Sequence, residues 1–346
     1  VIILAAYWAK KTGGSFYQAG SWAMLGATFG GAAALLFFGR LFLRGFFKLA
    51  VKIDFKQLLS LAKPLFSEGM LFCLNAALLI LLQLIDSFTL KNALQDSGLT
   101  FKQAADLKGI YDRGQPLIQL GLVLTNSLAT SFLPEFVKNR FCNDRPAFQK
   151  QLDRLFEAAF LFSLAAAAGM SILMSQINWL LFSDPAGSAT LAVASLLIPL
   201  AAVVTLDNVY LQSQNQKRPA ALVLLSAVVV KLLLNYSLVY SWGIMGGAVA
   251  SDLSLLAAVI VGGVFAKEIR FSYLKNGKWY RNLIVILGMM LTAKIISWLL
   301  GWLLPPERIS NLYILMVAIP SGFLVFAKMT INYQLMNLKK ILQEIF

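Results

Sequence analysis

The chain has 346 residues, 59% hydrophobic and 13% charged, with a mean hydropathy of +0.72 and a formal charge of +14. Soluble domains carry roughly 25% charged residues, so this composition selects a membrane protein. The absence of histidine excludes His-ligated metal chemistry and a histidine base, and two cysteines, Cys73 and Cys142, suggest neither a disulfide framework nor a thiolate metal site.

The opening run, Val1 to Trp8, is apolar but shorter than the roughly 20 residues a span needs, and it lacks a signal-peptide pattern. The chain is therefore read as beginning inside a helix of a longer protein. Residues 17–38 form the first full predicted span, with Gly20, Gly26, Gly30 and Gly31 allowing close helix approach. From Arg40 to Lys63 come six basic residues in an amphipathic stretch, an interfacial linker. The segment from Pro64 to Leu90 holds Glu68, Asn75, Gln83 and Asp86. Asn75 and Asp86 lie about three turns apart and share a face.

After a polar loop over 91–108, Gly109 to Pro134 combines the apolarity of a span with the pair Asp112-Arg113 at its mouth. On one helix, Gln115, Gln119, Asn126 and Thr130 share a face. Such a ladder avoids lipid, because each unsatisfied polar group costs roughly several kcal/mol in hydrocarbon. It predicts a protein interior or a water-filled cavity.

Six more spans follow, over 155–174, 189–211, 220–240, 248–265, 282–304 and 309–329. Residues 175–188 are read as a short connection. Pro199 can kink or open the span 189–211. Asp207-Asn208 and Asp252 are read as capping or loop contacts near helix ends. Lys231 and Asn235 stand one turn apart in 220–240, and Ser251 opens the next span. Lys294 and Pro320 interrupt the last two.

This pattern gives nine full spans and one partial one. The loops falling on one side hold 21 Lys and Arg, those on the other hold seven, and Lys231 and Lys294 lie within spans. The basic side, and with it the C-terminus, is then cytoplasmic, its charge facing anionic membrane lipids and not nucleic acid.

Two constellations are candidates for function. Arg113 has a planar fork suited to a phosphate or carboxylate; the alternatives are a cavity charge that meets an anionic headgroup, or a residue that pairs with Asp112 or snorkels to outer-leaflet phosphates. Gln115, Gln119 and Asn126 would add hydrogen bonds. The second comprises Asp86, Lys231, Asn235 and Ser251. Its oxygens suit Na⁺, but a lysine at that depth needs an anionic partner. Either its ammonium takes the place of a cation beside Asp86, or the pair is an interhelical salt bridge that holds the bundle. With no Gly-x-x-x-x-Gly-Lys-Ser/Thr loop and no acidic run for a two-metal site, transport is favoured over an enzyme.

Tyr111-Asp-Arg-Gly-Gln-Pro116, with the span through Leu133-Pro134, resembles the MOP exporter superfamily, specifically the polysaccharide-biosynthesis group of MurJ-like lipid II flippases and the Gram-positive YtgP and SpoVB proteins. The likeness extends over essentially the whole chain. It implies an all-α polytopic membrane protein of the MOP type. Residues 1–39 would end the first lobe, 40–63 form the basic cytoplasmic linker, 64–266 the complete six-helix second lobe, and 267–346 a loop, two additional helices and a basic tail.

The resemblance further implies a flippase of the bacterial cytoplasmic membrane that moves an undecaprenyl-linked peptidoglycan precursor by alternating access. Arg113 matches a cavity arginine that contacts the lipid-linked pyrophosphate, whereas Pro116 stands where some members have an acidic residue. Asp86 falls near an acidic sodium ligand, Asn235 and Ser251 match polar positions, and Lys231 replaces a neutral ligand. No cofactor is implied; coupling would be to the membrane potential or a cation, with Lys231 weakening the case for sodium. Cell-wall synthesis proteins are expected partners. Another undecaprenyl-linked glycan as cargo, or a non-transporting scaffold in cell-wall or sporulation machinery, are the alternatives.

Overall fold

A computed structural model describes residues 25–26, 28–40, 55–123, 126–127, 145–266, 279–305 and 307–333. The described residues are helical apart from short turns, with no strand among them. The chain divides into two compact units, Val1–Phe66 and Ser67–Phe346. In the first, residues 28–40 form helix α1; residues 17–24 and 27 of the predicted span at 17–38, and residues 41–54 of the basic linker, lie outside the described residues.

Ten further helices follow: α2 (Phe55–Asp96), α3 (Phe101–Asp112), α4 (114–123), α5 (Arg145–Phe182), α6 (Ser188–Ala194), α7 (Leu197–Ser213), α8 (Lys217–Trp242), α9 (Ile244–Phe265), α10 (Trp279–Leu303) and α11 (Arg308–Asn332). Among the described residues, seven stretches are long and apolar enough to cross a membrane: one in α2, one in α5, one over Ser188–Ser213, and α8 to α11. The protein is thus all-α and multi-pass. Large apolar side chains remain exposed along these helices, including Leu233, Trp298 and Trp302. In water they would form extensive apolar patches, but in a bilayer they face lipid tails.

Four departures from the sequence reading have local causes. The polar stretch 91–108 is mostly helical: α2 continues to Asp96, and α3 starts with a capping box in which the Thr100 hydroxyl and the Gln103 side chain satisfy each other's backbone N–H. The stretch from Gly109 is not one continuous helix but breaks at Arg113. Pro116 has no N–H to donate to the carbonyl of Asp112, so the old helix ends and a new one begins around it. Residues 124–125 and 128–134, Thr130 included, lie outside the description. Helix α5 runs to Phe182, and Ser183, with φ +56°, shortens the expected connection to a tight turn before Asp184-Pro185. Finally, the span at 189–211 divides into α6 and α7. Pro199 cannot donate to Ser195, whose carbonyl instead accepts the Ile198 N–H at 3.1 Å.

The core of the second unit is built where α2, α5, α7, α8 and α9 meet, around fully buried Leu90, Leu161, Val204, Val223 and Leu255. Small residues set the closest approaches. At the α8–α9 turn Gly243 has φ +59° and ψ −144°, a conformation that L-residues rarely adopt. Three residues on, a Cβ on Gly246 would lie 1.9 Å from the Leu238 carbonyl oxygen. Backbone must move to admit it. Gly246→Ala is expected to destabilise the protein by about 1–3 kcal/mol, measured as a lower midpoint in detergent unfolding, whereas Gly69→Ala, where nothing lies within 4 Å of the added Cβ, should leave the midpoint within error.

Candidate functional site

Helices α8 and α9 lie close together because of these glycines, and a buried polar network forms on the side they turn toward α2 and α3. Asp86 Oδ1 of α2 lies 2.7 Å from Lys231 Nζ of α8, with the two side chains 4% and 0% exposed. The same ammonium donates to the Gly247 carbonyl at 3.1 Å and to Ser251 Oγ at 2.5 Å. The ammonium is therefore ion-paired with a carboxylate and hydrogen-bonded to a carbonyl and a hydroxyl. Tyr111 of α3 donates to Asp86 Oδ2 at 3.1 Å and lies 3.3 Å from Ser251 Oγ. A Cβ on Gly247 would come 3.1 Å from Leu90 and 3.5 Å from the Tyr111 ring, so a residue with no side chain suits this junction.

One turn along α8, Asn235 donates to Thr89 Oγ1 at 2.7 Å, and Thr89 passes a bond to the Ile85 carbonyl. The four residues singled out in the sequence, Asp86, Lys231, Asn235 and Ser251, thus gather in one region. Asp86, Lys231 and Ser251 share direct contacts, while Asn235 reaches the neighbouring turn of α2. Oxygen donors of this type suit a hard cation, but here the lysine ammonium occupies their focus. Among the described residues no group of three or more His, Cys, Asp or Glu side chains could hold a metal.

The second group lies where α3 gives way to α4. Arg113 Nη1 donates to Asp184 Oδ2 at 3.0 Å, and its guanidinium stacks 4.8 Å from the Phe182 ring centre. The pairing with Asp112 does not form, because Asp112 accepts from Lys108 at 2.6 Å one helical turn away. The backbone N–H of Ala186, followed by Arg113, holds the Asp184 carboxyl below the ordinary aspartate range. Close packing steadies the junction: a Cβ on Gly187, at φ +75°, would strike Ile110, and one on Gly114 would strike Leu191. Arg113 remains partly accessible, its side chain 26% exposed.

Gln115 accepts from Gln83 Nε2 at 2.6 Å and is half-buried, while Gln119 and Asn126 are exposed. Among the described rungs, the amide ladder is half-buried at Gln115 and exposed at Gln119 and Asn126. Asp207 and Asn208, expected near a helix end, are fully buried well inside α7, and Asp252 sits half-buried eight residues into α9. Capping does not describe them. Sequence reasoning also passed over Tyr111, Thr89 and Asp184. A tyrosine beside an intramembrane charge was a usable signal, since a buried phenol needs a polar partner.

No protein-family model matches the chain. It is 31% identical over 269 residues to the uncharacterized membrane protein YabM of Bacillus subtilis, covering 74% of this chain and 49% of that protein. It is 24% identical to the probable low-salt glycan biosynthesis flippase Agl15 of Haloferax volcanii, over 65% of this chain and 47% of that one. To the lipid II flippase MurJ of Bacillus subtilis it is 22% identical, over 66% and 43%. The chain spans about half the length of these curated relatives. Among solved structures it matches the lipid II flippase MurJ in an inward closed conformation with a TM-score of 0.60 at 14% identity, over 96% of this chain and 65% of that one. The MurJ-like resemblance of the sequence is borne out by these relatives and, for the fold, by this structure.

Removing one partner of a buried ion pair strands the other charge, at a cost of about 3–5 kcal/mol, whereas an apolar replacement of both can be neutral. Asp86→Leu and Lys231→Met should therefore each lower stability strongly, and the double variant should recover most of the loss. A double-mutant cycle by equilibrium unfolding in detergent checks the sign and size of the coupling.

Proposed function

We propose that the protein acts as a transporter that flips an undecaprenyl-pyrophosphate-linked cell-wall precursor of the lipid II class across the cytoplasmic membrane by alternating access. The observation that carries this reading is the state of Arg113. Its guanidinium is half-buried at a helix junction, engaged by one aspartate at a turn, with further donors of its fork left for an anion. A pyrophosphate can displace or bridge the exposed Asp184 carboxylate, so the arginine has a resting partner that the headgroup replaces. The lipid tail would stay in the bilayer while the polar group crosses in a hydrogen-bonding environment.

Lys231 plays a different part in this proposal. Being fully buried and saturated by Asp86, Gly247 and Ser251, it acts as a tethered positive charge where a mobile cation would otherwise sit. Tyr111 ties that charge to the segment carrying Arg113, two residues away. Movement of the Arg113 junction is thereby felt at the buried pair. Relationship to a glycan-biosynthesis flippase as well as to MurJ supports a second reading, in which the cargo is another lipid-linked glycan. Both cargoes present the same anionic linkage to Arg113.

Complementation of a conditional lipid II flippase mutant by the full-length protein containing this chain tests the proposal. At matched membrane expression, rescue is expected from the parent, partial rescue from Arg113→Lys, and roughly a hundredfold fewer survivors from Arg113→Ala, as for the loss of about 3 kcal/mol of charge-assisted bonding. Failure of a well-expressed parent would move the cargo to another lipid-linked glycan; full rescue by Arg113→Ala would remove the arginine from the site.

A further inference from the structure

Away from the polar network, α2 and α8 enclose an apolar crevice of about 610 Å³, walled by Leu74, Leu78 and Leu81 on one side and by Leu222 and Leu225 on the other. Its shape follows from how the two helices are joined. They run in the same direction, and among the described residues their polar contacts lie at one end: Asp86 with Lys231, Thr89 with Asn235, and Asp96 with Tyr236 at 2.5 Å. Toward the other end the described residues that line the crevice are apolar apart from Arg218. The crevice opens there, with Arg218 at its mouth.

We propose that this crevice is a binding site for one acyl chain of an anionic phospholipid, whose headgroup phosphate is held by Arg218. Depth, charge and surroundings support the assignment. From Arg218 to Val228, the last lining residue along α8, there are ten residues, about 15 Å of helix. That equals one leaflet of a hydrocarbon core roughly 30 Å thick. The arginine then sits at headgroup level, and the Asp86–Lys231 pair closes the crevice near the midplane.

Arg218 is exposed and forms no ion pair with a described residue. A planar guanidinium takes two phosphate oxygens, and each basic residue at a membrane surface favours anionic over zwitterionic lipid. Leu222 and Leu225 are about half exposed, so the chain enters sideways from the bilayer without a path through the protein. Occupation would brace the separated ends of α2 and α8, the helices that carry Asp86 and Lys231.

Native mass spectrometry and thermal unfolding of the full-length protein in detergent test this, using phosphatidylglycerol, phosphatidylcholine and the tail-less headgroup glycerophosphoglycerol as probes. Phosphatidylglycerol is expected to be retained and to raise the midpoint more than phosphatidylcholine, with no shift from glycerophosphoglycerol. Arg218→Gln should reduce phosphatidylglycerol retention about fivefold without changing the midpoint in phosphatidylcholine. Leu225→Trp should abolish retention by filling the crevice, and Ala221→Leu serves if that variant does not fold. Equal retention of both phospholipids, an equal shift from the soluble headgroup, or unchanged retention in Arg218→Gln would overturn the proposal. So would displacement of phosphatidylglycerol by a polyprenyl phosphate at much lower concentration, which would give the crevice to the cargo.

Discussion

A lysine ammonium in the interior of a membrane bundle has no water to fall back on, and the arrangement of the second unit follows from that constraint. Lys231 can remain charged only where an anion and two further acceptors converge, and α2 supplies Asp86 while α9 supplies the Gly247 carbonyl and Ser251. Convergence demands that α8 and α9 pack nearly backbone to backbone, which Gly243 and Gly246 permit. It also leaves the second oxygen of Asp86 to be satisfied, and Tyr111 of α3 does so. One ion pair thus fixes the relative positions of four helices. A uniformly apolar interface between them would slide and rotate at little cost, as lipid tails are equally good partners for leucine.

Two cations in the same unit therefore have different physical characters. Lys231 is sealed and saturated, whereas Arg113 is half-buried with one exposed counter-ion at a turn. The first suits a permanent charge and the second a replaceable contact. They are linked through a short path, from Lys231 to Asp86, to Tyr111, and across the helix break to Arg113. The break itself, set by Pro116, falls at Arg113, whose N–H still bonds the Gly109 carbonyl at 3.3 Å. In the proposed flippase, headgroup binding at Arg113 would pull on a junction already hydrogen-bonded to the buried pair.

Much of this was legible in the sequence because membrane helices advertise themselves. Hydropathy locates the described spans, a one-turn spacing puts Lys231 and Asn235 on one face, and the need of an intramembrane lysine for an anion groups them with Asp86 and Ser251. Two long-range contacts gather at one end of α5: Arg113 meets Asp184 at 3.0 Å, and Arg308 donates to the Leu180 carbonyl at 2.6 Å. Interruptions were less visible. The helix in 101–112 is polar and short, and only its capping box at Thr100 and Gln103 distinguishes it from a loop. Pro116 was read as a missing carboxylate and not as the cause of a break. Asp184 looked like ordinary loop polarity, because pairing across 71 residues leaves no local pattern. Asp207 and Asn208 read as helix-end residues because they lie within four residues of the predicted boundary at 211, whereas the helix continues to Ser213 and turns both into its buried face.

The central claim is that Lys231 stands where a free cation would otherwise bind, and the stability of the purified full-length protein in sodium, potassium and choline chloride at equal ionic strength tests it most directly. Equal unfolding midpoints in the three salts are predicted for the parent, with a sodium-dependent rise appearing in Lys231→Ala as the Asp86 carboxylate, Gly247 carbonyl and Ser251 hydroxyl become available. A sodium-dependent midpoint in the parent that disappears in Asp86→Ala would contradict the account, because it would mean that a real ion binds beside the lysine.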